Sequence, residues 1–323
     1  MATRATALHR EPLSGCGSGS LETLPEGPQG TGPSTNDFKA LVSAAPALVI
    51  RPRKGWQIID WKEICSYRDL FYFLVLRDIT VVYKQTVLGF AWALLNPFFN
   101  MVVFTFVFGR MAGVPSDGIP KPIFYYSALL PWTYFAAALT GSTNSLIQGS
   151  TVFTKVYFPR MFIPLVPVCS KLMDLSIASL LLGALMLFFR VPPSTQVLFI
   201  PLLLMVLVLT ASGAGLWLSA LAIQFRDVRH AITFTVQLLM YAAPVVWPVS
   251  LLSKAFPHAA GTVRLIYGVY PMAGVIEGFR SAVLGRTPMP WDLIGMGFFS
   301  AMLLFLSGAF FFRRAERVFA DVA

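Results

Sequence analysis

From Thr86 to Gly109 the chain reads TVLGFAWALLNPFFNMVVFTFVFG, 24 residues without one ionisable side chain, directly after a stretch that holds Arg77, Asp78 and Lys84. As a helix this run is roughly 36 Å long at about 1.5 Å per residue, enough to cross a hydrocarbon core of about 30 Å with some tilt. Runs of the same kind recur, and the pattern predicts spans over 86–108, 122–146, 161–189, 194–223, 231–250 and 291–312. Between the last two, residues 254–290 are apolar but interrupted by Pro257, Gly261, Gly268, Pro271, Gly278 and Gly285. Helical pieces that short cannot span, and backbone that turns back at membrane depth persists only against protein or water. The segment therefore predicts two short re-entrant half-helices before the last span.

Ahead of the first span, Asp60-Trp61-Lys62-Glu63 has the form of a capping box. Residues 60–84 then mix charges with a wide apolar face that includes Trp61, Ile64, Tyr67, Phe71 and Leu74. This predicts an amphipathic helix lying at the membrane surface, the alternative being a soluble helix packed on a partner. Residues 1–37 contain no apolar core of the kind a signal peptide needs and are rich in Gly, Ser, Pro and Thr. Such a segment buries too little apolar surface to offset its chain entropy. The expected organisation is a disordered tail over 1–45, a cytoplasmic segment with the interfacial helix over 46–85, and a transmembrane domain over 86–323. The expected fold class is all-α and integral to the membrane, with six transmembrane helices.

Composition agrees. The 323 residues are 56% hydrophobic and only 12% charged, where a soluble domain carries about 25% charged residues. The net charge is +10, and the basic residues sit beside apolar runs, which suits an anionic leaflet better than nucleic acid. Counted beside the spans, 14 Lys and Arg fall on the side of Arg51, Lys84, Arg160 and Arg226, and 7 on the side of Arg110, Lys121 and Arg190. The positive-inside rule places both termini in the cytoplasm of a multi-pass protein. Cys16, Cys65 and Cys169 show neither a disulfide framework nor metal-ligand spacing, and His9, His230 and His258 lie far apart. No metal site is expected.

No phosphate loop, nucleophile elbow or HExxH motif is present, which favours a pore-forming subunit over an enzyme. If ATP drives it, another chain binds the nucleotide. Lys171 and Asp174 are the ionisable pair deep inside a predicted span and lie i,i+3 on one helical face. They form either a self-neutralising structural pair or part of a wet lumen. The first span presents Trp92, Asn96, Phe99 and Phe106 at helical spacing, with Asn100 one turn beyond Asn96. Aromatics with sparse amides suit a glycan path, although the same Phe residues can face lipid and Asn can join helices. In the re-entrant region Pro271 opens a helical piece, and Glu277 either accepts bonds from half-helix N-termini or pairs with Arg280. Gly274 and Gly278 allow close helix packing there.

The segments RDITVVYKQTVLGFAWALLNP (77–97), LLPWTYFAAALTGSTNSL (129–146), TKVYFPR (154–160), QFRDVRH (224–230) and YPMAGVIEGFRSAVLG (270–285) resemble the permease subunits of ABC-2 type exporters of polysaccharides and polyol phosphates. The resemblance runs over about residues 47–315. It implies a permease of the bacterial inner membrane that dimerises, pairs with two copies of a cytoplasmic ATPase and exports a lipid-linked glycan such as O-antigen. ATP and magnesium would belong to the ATPase, and the permease would need no cofactor of its own. The resemblance assigns ATPase coupling to the loop of Lys155, Tyr157, Phe158, Pro159 and Arg160. Charge and insertable aromatic area suit a lever seated in a partner's groove, the plainer alternative being a positive-inside anchor. In the next cytoplasmic turn, Arg226 and Asp227 are also assigned to ATPase coupling; they either pair, locally or with the amphipathic helix, or are simply solvated. Other readings of the whole chain are an integral membrane glycosyl- or acyltransferase, or an ABC-2 exporter of a small molecule.

Overall fold

The computed structural model describes residues 66–84, 91–148, 159–251 and 260–322. The tail, the Asp60 cap and the loop residues Lys155, Tyr157 and Phe158 lie outside them. Among the described residues the fold is all-helical. The helices are α1 (Arg68–Lys84), α2 (Ala91–Phe104), α3 (Lys121–Gln148), α4 (Phe162–Phe188), α5 (Ile200–Gln224), α6 (Val228–Ala242), α7 (Ala260–Gly268), α8 (Pro271–Leu284) and α9 (Trp291–Val322).

Among the described residues, four helical stretches are long and apolar enough to cross a membrane: Ala91–Met111, Phe162–Phe188, Thr195–Gln224 and Trp291–Glu316. The first is α2 continued by a π-helical turn, Thr105–Met111. Pro97 lies inside α2 and leaves the Ala93 carbonyl without its helical donor. The Lys121 ammonium closes the far end by donating to the Gly109 carbonyl, a basic group satisfying terminal carbonyls. The third begins as a 3₁₀ turn, Thr195–Phe199, capped by the Ser194 hydroxyl accepting from the Gln196 N–H at 3.2 Å.

The predicted second span is α3, whose 28 residues reach about 42 Å. It is less apolar than the other four because it is the central helix, packed on α2, α4, α5 and α8. Ile123, Phe124, Tyr125 and Tyr126 have no exposed surface. Two of its buried hydroxyls turn back on their own helix, Ser127 to the Phe124 carbonyl at 3.0 Å and Thr143 to that of Leu139 at 2.7 Å, while the Tyr126 and Tyr134 phenols donate across to the Ala178 and Val168 carbonyls of α4, both at 2.8 Å.

The predicted fifth span, 231–250, differs most from expectation. Its helix α6 ends at Ala242 after 15 residues, about 22 Å of axis. Ala243 is extended, with φ −80° and ψ 153°, as the residue before a proline prefers, and Pro244 begins an irregular buried stretch.

Glycine governs two close approaches. A Cβ on Gly213 of α5 would sit 2.6 Å from the Phe305 nitrogen of α9, and one on Gly308 of α9 would sit 2.5 Å from the Gly213 oxygen. The two backbones touch there, as small residues allow in helix pairs that lipid cannot drive together. One turn on, Trp217 stacks on Phe311 at 4.1 Å and donates to the Ser307 hydroxyl at 3.1 Å. In α8 every residue is buried, and the expected glycine packing is present. A Cβ on Gly274 would strike the Leu293 carbonyl at 2.5 Å, and one on Gly278 would meet Leu203 and Ile294. Gly285 ends the helix at φ 61°, the left-handed cap that glycine adopts without strain.

Candidate functional site

A satellite apolar cluster gathers Leu74 of α1, Leu146 near the end of α3, Phe162 at the start of α4, Ala220 near the end of α5 and Phe312 of α9. The end of α3 and the start of α4, which flank the first coupling loop, therefore share one apolar cluster with the end of α5, which leads into the turn of Arg226 and Asp227. Pro159 and Arg160 are half-buried and form the turn that starts α4, their carbonyls accepting from the N–H groups of Phe162 at 3.1 Å and Ile163 at 3.2 Å. Arg226 and Asp227 are exposed and, among the described residues, form no ion pair with each other. Asp227 instead starts α6 through its carbonyl, which accepts from His230 and Ala231.

From that end α1 runs beside α4. The Phe71 and Phe162 rings pack at 5.1 Å, the Ser170 hydroxyl donates to Asp78, and the Tyr83 phenol donates to Asp174. These contacts advance in the same sense on both helices over 12 residues, about 18 Å of axis, so α1 and α4 are parallel neighbours. The outer face of α1 remains apolar, with Tyr72 at 65% and Phe73 at 63% exposure, as a lipid-facing surface would be. Asp174 also accepts from Lys171 at 2.9 Å, so the i,i+3 pair read from the sequence is present and has gained a third member. Burial, and then the hydrogen bond and charge of Asp174, push the Tyr83 phenol above its ordinary range. The phenol therefore keeps its proton and remains the donor.

Where α1 to α4 converge lies a cavity of about 280 Å³, lined by Tyr83, Trp92, Asn96, Thr133, Lys171 and Asp174 among others. The structure thus brings together Trp92, Asn96, Lys171 and Asp174 from the predicted path. Phe99 and Phe106, 58% and 57% exposed, do not line the cavity and lie on the open face of α2, where Trp92 at its rim is itself 55% exposed. Asn100 joins this face to the cavity rim by donating from its side-chain amide to the Asn96 side-chain oxygen Oδ1 at 3.3 Å.

Near the opposite end of α3, Arg280 is 2% and Glu277 8% exposed, and they pair at 2.7 Å. Of the two readings of Glu277, pairing with Arg280 is realised. Arg280 also donates to the Pro244 carbonyl at 2.8 Å and lies 3.8 Å from the centroid of the Phe124 ring. One guanidinium thereby ties α8 to α3 and to the break after α6. Pro271 is the buried first residue of α8, so the predicted site residues of this region form a packed joint. Periodicity alone had placed none of Asp78, Tyr83, Phe124 or Ser170 in a site, because each acquires its role from a partner on another helix.

Residues 69–284 match the family model described as ABC-2 type transporter. The chain belongs to that family. It is a multi-pass membrane protein of the transporter class. It is 26% identical over 257 residues to the O-antigen export system permease protein RfbA of Myxococcus xanthus, covering 79% of this chain and 96% of that one. Identity is again 26% over 256 residues to the protein of the same name from Klebsiella pneumoniae, covering 79% and 95%. The polysialic acid transport protein KpsM of Escherichia coli is 22% identical over 251 residues, covering 75% and 92%.

Proposed function

We propose that this chain is the transmembrane permease subunit of an ABC exporter that moves a lipid-linked polysaccharide across the bacterial inner membrane. Two copies form the pathway, and two copies of a separate ATPase bind ATP and magnesium and drive it. The observation that carries this reading is the near-complete coverage of relatives named as O-antigen export permeases, on a chain without a phosphate loop of its own. The shared cluster of the helix ends that flank loop 154–160 and the turn at Arg226 and Asp227 supports a single ATPase-facing surface there. The six-span topology has α2, α3, α4, α5, α6 with its irregular continuation, and α9 crossing the membrane. In it α7 and α8 are the re-entrant pair and both termini are cytoplasmic.

Coupling then runs through the short loop 154–160 and the turn at Arg226 and Asp227. Tilting the start of α4 moves α1 with it, since Phe71, Asp78 and Tyr83 hold the two helices together. Trp92, Asn96, Lys171 and Asp174 line the path on the inner side of that hinge.

The test is deletion of the gene in its own host, followed by complementation with a tagged copy. Loss of surface polysaccharide, its restoration by the tagged copy and co-purification of an ATPase subunit are expected. Unchanged surface glycan, or glycosyl or acyl transfer by the purified chain alone, overturns the reading.

A further inference from the structure

The cavity of about 280 Å³ is just smaller than the roughly 300–1,000 Å³ of pockets that enclose drug-sized ligands. It has room for one ring-sized group and not for a length of chain. Thr133 bonds the Leu130 carbonyl at 3.1 Å and the neighbouring Tyr134 bonds that of Val168 at 2.8 Å, so both hydroxyl protons are already placed. The indole N–H of Trp92 and the amide N–H groups of Asn96 have no acceptor among the described residues. Asp174 accepts from Lys171 and Tyr83.

Three kinds of ligand can be weighed against this lining. A phosphate would bring its charge against Asp174, beside a Lys171 that the carboxylate already neutralises. An alkyl chain would leave the amide and indole N–H groups without an acceptor. A sugar ring offers an apolar C–H face to the indole and hydroxyls that both donate and accept.

We propose that this cavity seats one neutral pyranose ring of the transported glycan, stacked on Trp92, with a ring hydroxyl taking the Asp174 carboxylate from Tyr83. The proposal rests on the exporter reading above and adds a consequence to it. Arrival of the sugar releases one of the contacts that hold α1 to α4, so occupancy of the cavity is communicated to the interfacial helix.

The experiment uses the full chain in lipid nanodiscs with two photoreactive probes, hexyl β-D-glucoside and hexyl α-D-mannoside, each with a diazirine at the third carbon of the hexyl chain. Hexanol bearing the same diazirine is the sugarless control, and labelled peptides are mapped by mass spectrometry. At least one glycoside is expected to label residues 92–97 and 171–175 above the hexanol level, and an excess of the methyl glycoside suppresses it. Trp92→Leu lowers that labelling about fivefold, within the range of one aromatic contact. Tyr83→Phe raises it about two- to tenfold by freeing an acceptor that one hydrogen bond had occupied. A Tyr83 of merely structural value would not raise it.

Labelling equal to hexanol by both glycosides overturns the proposal. So does unchanged or reduced labelling in a monodisperse Tyr83→Phe protein. In cells, wild-type surface glycan with Trp92→Leu removes this site while leaving the exporter reading intact, whereas unchanged glycan after gene deletion removes the exporter reading itself.

Discussion

The Tyr83 phenol donates to the Asp174 carboxylate across 91 residues of sequence. That bond makes the ion pair of one helix the anchor of another. Lys171 stabilises the carboxylate from within α4, and Tyr83 fastens α1 to it from outside. Both charged side chains are roughly a quarter exposed, at 23% and 28%, so the triad borders the cavity rather than vanishing into the core.

Asp174→Ala removes both bonds and leaves Lys171 unpaired. We expect a loss of about 1–3 kcal/mol, the range for a polar partner left unsatisfied in a partly buried site. Lys171→Ala/Asp174→Ala recovers part of it, because it removes the orphaned ammonium. Thermal midpoints of wild type and the two detergent-purified variants test the order. A double variant no better than Asp174→Ala would show that the pair is not a stabilising unit.

Arg280→Met strips Glu277 of its partner and the Pro244 carbonyl of its donor. Breaking a buried pair on one side costs about 3–5 kcal/mol, so this variant should be recovered in low yield and unfold early. Glu277→Gln/Arg280→Met should regain much of the loss. Fluorescence-detected size exclusion after graded heating compares them, and a single variant as robust as wild type contradicts the joint described here.

Gly213→Val forces a branched side chain against the Phe305 backbone, where no rotamer can withdraw. Overpacking of this kind costs about 1–3 kcal/mol, and here it separates α5 from α9. Gly183→Val, at a position where a Cβ meets nothing within 4 Å, is the control. Equal extraction and equal thermal midpoints for the two would refute a backbone contact between α5 and α9.

The isolated chain should neither bind nor hydrolyse ATP, because it has no phosphate loop. Equilibrium dialysis with labelled ATP and magnesium checks this directly. Stoichiometric binding would place the nucleotide on the permease and end the two-subunit account of coupling.

The membrane class was legible in the sequence because a run such as Thr86–Gly109 carries its meaning locally: no neighbour is needed to decide that two dozen uncharged residues favour lipid. The Lys171–Asp174 pair was legible for a similar reason, since three residues along one helix are always neighbours. So was the packing of Gly274 and Gly278, which only needs some helix to approach. Their common property is short range. Tertiary structure alone decided which helix meets which. It set α1 parallel to α4, gave Tyr83 rather than water to Asp174, and carried Arg280 onto Phe124 and Pro244. It also stopped α6 at Ala242 and drew the rest of the predicted fifth span into an irregular buried stretch. Helical periodicity sorts residues onto faces, but the partner of a face is chosen by the packing of the whole bundle. For that reason the site divided as it did, with Trp92 and Asn96 at the wall of a cavity that Phe99 and Phe106, on the same stripe, do not reach.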